Sequence, residues 1–312
     1  MEKRDVVSLS RDIEHRLQAR YDDPVLCNQY AWWMIERVTE KKKEELISLG
    51  TFNFTTKQIY TLENWLQKQI VEKEPLQYLL GSLPFDNLEI LVEPPILIPR
   101  PETEEMCYKI IAKLKKLEKK APKAISGFTI LDIGTGSGCI ALTLAKAFDN
   151  AHVYAIDISQ EALDLAKKNA KHNNIKNITF LESDVYNNIP KDIKFDLIVS
   201  NPPYIAQKEW ETLDESVTKW EDKIALVANK EGMAIIERIV MQAPEFIKSN
   251  SEIASKKIPQ LIIEIGYAQG PGTKKLFQAA GFVDIVIEKD LEGKDRFVSG
   301  RVDNVVTKKG KE

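Results

Sequence analysis

The segment Asn201-Pro202-Pro203-Tyr204 combines groups that can hold a planar NH2. An asparagine side-chain oxygen and a backbone carbonyl both accept hydrogen bonds from such a group. Consecutive prolines restrict the backbone, so that the Pro202 carbonyl points outward. Tyr204 adds a flat face for an amide or a base. The lone pair of a planar nitrogen is delocalised, so such a site works through orientation and electrostatics rather than a strong general base. Taken alone, the same four residues could also be an Asn-Pro turn after the buried strand Phe195-Asp196-Leu197-Ile198-Val199-Ser200. Their place in the fold decides between the two.

A second segment, Leu131-Asp132-Ile133-Gly134-Thr135-Gly136-Ser137-Gly138, ends a strand in a glycine-rich turn. Such a turn lets backbone approach a ligand, and the helix that follows offers unpaired N–H groups. By itself it is equally a tight strand-to-helix connection. Asp132 sharpens the reading, because a carboxylate there repels a pyrophosphate and attracts a cationic aminoacyl group. Asp157, at the end of the next strand, can accept from ribose hydroxyls. Asp184, after the third strand, is placed to meet an adenine amino group. Open α/β sheets bind ligands at the carboxyl ends of their strands, where all three acids lie. The combination resembles the S-adenosylmethionine-dependent methyltransferase fold. The Asn201 turn, one strand further on, then sits where a nitrogen would be methylated, with proton loss to water following transfer. Enzymes acting on adenine N6, guanine N2 and glutamine amides share the tetrapeptide, so it names the atom type and not the substrate.

The elements that must position these residues follow from apolar periodicity. Strands are predicted over residues 128–133, 152–157, 178–181, 195–200, 260–265, 282–288 and 296–301, and helices over 138–148, 160–172, 232–248 and 273–280. Strands alternating with helices imply βαβ units and a mostly parallel sheet covered on both faces. The last two strands, joined through Glu292-Gly293-Lys294, read as a hairpin that makes one edge strand antiparallel. Residues 1–75 read as helical throughout. Asp23-Pro24 starts one helix, whose Tyr30, Trp33, Met34 and Val38 share a face. Thr55 and Gln58 form a capping box before Ile59, Leu62, Leu66 and Ile70. Trp32, Trp33 and Trp65 read as core. Residues 76–101 read as a proline-rich linker with a hairpin drawn from residues 88–92 and 96–98, since proline marks boundaries. A helix from Glu102 to about Lys119 then ends in a lysine-rich polar loop. The expected organisation is a helical domain (1–75), a β-hairpin linker (76–101) and an α/β domain (102–312); the resemblance given below assigns substrate recognition to the first and methyl transfer to the last.

At 312 residues, with 43% hydrophobic and 29% charged, the chain is long enough for two domains. No apolar run reaches the ~18 residues that would span a membrane, and the amino terminus carries no long apolar segment of a secretory signal. The 44 basic and 47 acidic residues leave a net charge of −3, without the basic excess of a duplex-binding protein. Cys27, Cys107 and Cys139 lie far apart and make no zinc spacing, and neither do His15, His152 and His172. The expectation is therefore buried thiols in a reducing compartment and no metal.

Five segments in order resemble the release factor glutamine methyltransferase family across roughly residues 70–300. They are Pro75-Leu76-Gln77-Tyr78-Leu79-Leu80-Gly81, Leu97-Ile98-Pro99-Arg100-Pro101-Glu102-Thr103-Glu104, the Asp132 to Gly138 loop, Ser200-Asn201-Pro202-Pro203-Tyr204-Ile205, and Glu264-Ile265-Gly266 with Gln269. The resemblance implies a seven-stranded Rossmann-like methyltransferase domain preceded by a small all-helical domain and a β-hairpin. It implies N5-methylation of the glutamine in the Gly-Gly-Gln loop of class 1 peptide-chain release factors, with S-adenosylmethionine as cofactor and S-adenosylhomocysteine as product. Gly134, Thr135, Gly136, Ser137, Gly138 and Asp157 would bind the cofactor, Asp184 and Val185 would line the adenine pocket, and Asn201 would face both cofactor and substrate. Asn201, Pro202 and Tyr204 would be catalytic, and with Pro203 would hold the amide. Arg100, Glu102 and Thr103 would shape the substrate wall, where a salt-bridged helix start is the other reading of the same residues. Val185 stands where members often carry an aromatic residue, and Trp220-Glu221-Asp222 stands where many carry Tyr-Glu-Pro. A monomer in the bacterial cytoplasm is expected, with the mitochondrial matrix as alternative and no stable nucleic-acid or membrane partner. The competing activity is N-methylation of adenine or guanine in DNA or RNA. It is opposed by the linker motif and the charge balance, and a small flexible Gly-Gly-Gln loop needs no base flipping to reach Asn201.

Overall fold

The computed structural model describes residues 1–120, 127–248 and 258–302. Two compact units share the chain: Met1–Ser82 with Asp214–Trp220, and Leu83–Leu213 with Glu221–Glu312. The first contains α1 (Val6–Leu17), α2 (Pro24–Thr39), α3 (Lys43–Leu49), α4 (Thr56–Gln67) and α5 (Leu76–Leu80). Asp23 accepts from the Val25 amide ahead of α2, and Thr55 and Gln58 form the reciprocal capping box of α4. Helix throughout is too simple a description. Glu2–Asp5 (β1) and Thr51–Phe54 (β2) pair antiparallel. Four-residue strands are too short to register against flanking helical periods, and Asp5 also caps α1. The core is built from Val6, Leu9, Ile13, Ala31, Trp32, Met34, Ile35, Leu62 and Leu66. Trp33 and Trp65 pack against it half-buried, as do Tyr30 and Val38. The short segment Asp214–Trp220 joins this unit through Arg20 Nη1 donating to Asp214 Oδ2 (3.1 Å) and Trp220 Nε1 donating to the Glu72 carbonyl (3.1 Å).

The chain continues into β3 (Ser82–Phe85), which pairs with β4 (Leu88–Leu91) around Asp86, whose φ is +50°. The expected hairpin thus exists, but its partner strand precedes residue 88 rather than following it. Residues 96–98 form no strand: Pro94 and Pro95 interrupt the chain before them and supply no N–H to a ladder. The helix α6 (Pro101–Lys120) follows, and the polar loop expected after it lies outside the described residues. The main sheet holds β5 (Thr129–Ile133), β6 (His152–Asp157), β7 (Ile178–Glu182), β8 (Leu197–Ser200), β11 (Leu261–Glu264), β12 (Phe282–Lys289) and β13 (Asp295–Val302), with β9 (Ile205–Ala206) and β10 (Val227–Ala228) forming a separate small pair. Its order is β12-β13-β11-β8-β5-β6-β7. The helices α7 (Cys139–Ala147), α8 (Gln160–His172), α9 (Ala234–Phe246) and α10 (Gly270–Ala279) complete the alternation.

The antiparallel strand is not at the edge, contrary to expectation. β13 runs antiparallel to both neighbours and is inserted between β11 and β12. Burial explains the order: Phe297, Val298, Ser299 and Gly300 are covered on both faces, whereas β12 exposes Asp284 and Val286 in the alternation of an edge strand. Leu131, Ile133, Ile156, Ile198, Ile263 and Val298 from the strands pack with Ile236, Ile239 and Val240 of α9 in the main core. The three thiols are buried and unbridged. Among the described residues no helix is long and apolar enough to cross a membrane.

Candidate active site

The strand β5 is buried to its end and releases the chain into Gly134, Gly136 and Gly138, with φ of +71°, +56° and +87°. Glycine occupies such angles without steric penalty. The amides of Gly134 and Thr135 both donate to the Ile156 carbonyl (2.9 Å each), and Gly136 donates to Asp157 Oδ2 (2.8 Å). Asp157 Oδ1 accepts from the Ser159 amide (3.0 Å), so one carboxylate braces both the glycine loop and the start of α8. Burial raises the Asp157 pKa, and these amide contacts oppose the rise. A Cβ at Gly134 or Gly136 would meet nothing within 4 Å, whereas one at Gly138 would come within 3.1 Å of Ala166 and Leu142. The first two glycines therefore face open space, and the third packs against α8.

That space is a cavity of about 680 Å³, whose wall includes Gly134, Gly136, Asp157, Asp184, Val185, Asn201 and Pro203. Its volume is in the range of small-molecule sites. Beneath the loop, Asp132 Oδ2 accepts from Thr135 Oγ1 (2.7 Å), while Oδ1 is buried with no partner. Burial pushes the Asp132 pKa up to about 7. An unpaired buried carboxylate oxygen under an open glycine loop suits a ligand that brings a cationic donor. Apolar walls from Ile133, Ile158, Val185 and Ile235 suit a planar aromatic ring. The residues present thus fit an aminoacyl nucleoside such as S-adenosylmethionine.

The expected cofactor residues divide into two sets. Gly134, Gly136, Asp157, Asp184 and Val185 reach the cavity, while Thr135, Ser137 and Gly138 support the loop from behind. Thr135 and Ser137 are buried, and the Ser137 carbonyl accepts from Asn169 Nδ2 (2.9 Å). Asp184 also accepts from Arg238 Nη2 (2.8 Å), an arginine on the cavity wall that sequence reading missed. Val185 has a φ of +53°, unusual for a β-branched residue. Its carbonyl accepts from Ser183 Oγ (2.8 Å).

At the end of β8, Ser200 Oγ donates to the Ile133 carbonyl (2.7 Å), tying the Asn201 turn to the glycine loop. Asn201 Nδ2 donates to Thr103 Oγ1 (3.0 Å), and Thr103 Oγ1 donates to Glu264 Oε2 (2.8 Å). Asn201 and Pro203 stand on the cavity wall, Pro202 is buried, and the Tyr204 ring packs half-buried against the main core. Burial pushes the Tyr204 hydroxyl up to about 12, so it stays protonated. Its carbonyl accepts from Gln269 Nε2 (2.8 Å). A Cβ on Gly232, whose φ is +81°, would lie 1.9 Å from that carbonyl oxygen.

Of the three linker-side residues expected at the active-site wall, Thr103 reaches Asn201 directly. Thr103 is only 2% exposed and meets Asn201 from the protein side. Arg100 is paired with the buried Glu221 carboxylate, so the reading as a salt-bridged helix start describes it better. Glu102 lies in the first turn of α6. The cavity wall is completed by Pro95, Ile96 and Leu97 and by Lys223, Ile224 and Ala225. Asp222, standing where a proline was expected, caps this last turn by accepting from the Ile224 amide (3.0 Å), and its own amide donates to the Pro95 carbonyl (2.8 Å). The sequence signals near these wall residues were the proline run, the Leu97 segment and the Trp220 to Leu226 run, none of which named a role for them.

Residues 125–281 match a family described as Methyltransferase domain. A release factor glutamine methyltransferase of Lactococcus lactis subsp. lactis is 39% identical, over 91% of this chain and 96% of its own length. Those of Flavobacterium psychrophilum and Streptococcus pneumoniae are 35% and 38% identical, over 85% and 74% of this chain and 88% and 78% of theirs.

Proposed function

The chain belongs to the release factor glutamine methyltransferase family, and on that premise we propose that it methylates the side-chain nitrogen of the Gly-Gly-Gln glutamine in class 1 peptide-chain release factors. The observation that carries this reading is that Asn201 shares one cavity wall with the open glycine loop and Asp157. Gly134, Gly136, Asp157, Asp184 and Val185 would hold the cofactor, with Asp132 beneath the loop. Bound there, S-adenosylmethionine would supply a methyl group carried on a positively charged sulfur, with S-adenosylhomocysteine as the product.

Asn201 Oδ1 and the Pro202 carbonyl accept the two N–H bonds of the glutamine carboxamide. Two acceptors fix the plane of the amide and raise electron density on its nitrogen, which a delocalised lone pair otherwise withholds. Pro203, on the cavity wall, limits how the carboxamide can turn. Tyr204, a neutral phenol, flanks the turn without acting as a base. The surplus proton of the methylated nitrogen passes to water. We assign the helical residues 1–75 to recognition of the body of the release factor. We place the protein as a monomer in the bacterial cytoplasm, where translation ends.

Incubation with a release factor and S-adenosylmethionine, followed by peptide mass spectrometry, should find one added methyl group on the loop glutamine. Methylation of DNA or RNA instead, with the release factor unmodified, would overturn the assignment. Asn201→Ala should lower turnover by ~10³-fold, as removal of a preorganised polar contact does, with cofactor affinity nearly unchanged by calorimetry.

A further inference from the structure

Asn201 is one end of a short hydrogen-bond chain whose other members face away from the cavity. Thr103, in the first turn of α6, receives Asn201 Nδ2 at 3.0 Å and gives its own proton to Glu264 Oε2 at 2.8 Å. Thr103 and Glu264 are 2% and 1% exposed, so water does not compete for either. Register places the carboxylate here: Ile263 of β11 pairs with Ser200, the last residue of β8, and Glu264 and Asn201 are the residues that follow them.

We propose that Thr103 and Glu264 are positioning residues that set the polarity of the Asn201 amide. A hydroxyl has one proton. While Glu264 takes it, Thr103 Oγ1 can only accept, so Asn201 turns its NH2 inward and offers Oδ1 to the substrate. With Glu264 protonated, the chain can run the other way: Glu264 donates to Thr103, Thr103 donates to Asn201 Oδ1, and the NH2 faces outward. A donor would then meet the donor groups of the glutamine amide. The inference rests on the reading that Asn201 holds that amide.

Burial pushes the Glu264 pKa up to about 7, opposed by the Thr103 hydrogen bond and the Arg296 and Arg100 charges and assisted by Glu102. Tyr204, Cys107 and Cys139 face it as neutral groups. The polarity of the chain therefore turns over near neutral pH.

The test compares wild type, Thr103→Val, Thr103→Ser, Glu264→Gln and Asn201→Ala with a release factor as substrate, measuring kcat, KM and, by calorimetry, the Kd of S-adenosylmethionine. Thr103→Val should lower kcat by ~10–100-fold, the scale of a misaligned reacting group, with KM and cofactor Kd near wild type. Thr103→Ser should restore it. Wild-type kcat should fall below about pH 7, and Glu264→Gln should be slower but without that acid limb. Full turnover by Thr103→Val while Asn201→Ala is inactive would overturn the relay and leave the reading of Asn201 standing. Equal impairment of Thr103→Val and Thr103→Ser would reduce Thr103 to packing and overturn it too. Should Thr103→Val not fold, an acid limb that survives in Glu264→Gln at saturating S-adenosylmethionine, where the bound cation keeps Asp132 charged, overturns the proposal. Full turnover by Asn201→Ala removes both the relay and the reading beneath it.

Discussion

The glycine loop and the Asn201 turn end adjacent strands of one sheet, yet they are held in opposite ways. The loop is held chiefly by its own strand and the next, through the Ile156 carbonyl, Asp157 and its own Thr135–Asp132 contact, with Asn169 and Ser200 adding ties from α8 and from β8. The Asn201 turn is held from afar, by Thr103, about a hundred residues earlier, and by Gln269 and Gly232, well after it. A loop braced chiefly by its own strand and the next depends mostly on the βα alternation to form. A turn braced by three distant segments forms only once the whole sheet is assembled, and it is the part where a change far away reaches the chemistry.

Gly232→Ala breaks the long-range side most severely. Its methyl group would overlap the Tyr204 carbonyl at a φ of +81°, so the turn must move. Turnover should fall by ~100-fold or more and stability by ~2–4 kcal/mol, with cofactor affinity within ~3-fold. A variant with normal kcat and a normal melting curve would show that the turn tolerates displacement. Asp157→Asn tests the short-range side. It removes the charge from the loop brace, and the Kd for S-adenosylmethionine should rise by ~10-fold while kcat at saturation changes less. If kcat falls and Kd does not, the two regions are not separable.

A more gradual effect, spread over several pH units, is expected on stability. The folded Asp132 carboxyl holds its proton to about pH 7, whereas the unfolded chain gives it up near the ordinary value of 3.8. Between those values the native state binds more protons, so stability is greatest below the lower value and is lost as pH rises through the upper one. The slope is at most ~1.4 kcal/mol per pH unit for this group. Glu264 adds a parallel contribution from its ordinary value of 4.5 to about 7. Asp132→Asn should flatten the curve in chemical denaturation. Saturating S-adenosylmethionine should flatten it in the wild type, since a cation at the unpaired Oδ1 favours the charged carboxylate. An unchanged slope in Asp132→Asn would place the titration elsewhere.

Much of the fold was legible because local chemistry specifies it. Asp23-Pro24 and Thr55 with Gln58 start their helices with side-chain caps a few residues away. The alternation of apolar strands and helices from residue 128 onward anticipates the parallel part of the sheet. The misses are pairings. β1 and β2 are four residues each, and each strand has meaning only beside the other. The partner of β4 had to be chosen between runs on either side, and the interior place of β13 depends on what covers Phe297 to Gly300.

The site divides along the same line. Residue types and order within single segments determined that this chain carries a glycine-rich turn after one strand and an Asn-Pro-Pro-Tyr turn after another, because those properties reside in backbone angles and side chains a few positions apart. Only the tertiary structure decided that Thr103 hydrogen-bonds to Asn201, that Arg100 pairs with Glu221, and that Gln269 and Gly232 meet at the Tyr204 carbonyl. Hydrogen bonds and close packing between remote segments depend on strand register and helix placement, and those are settled by burying the sheet as a whole.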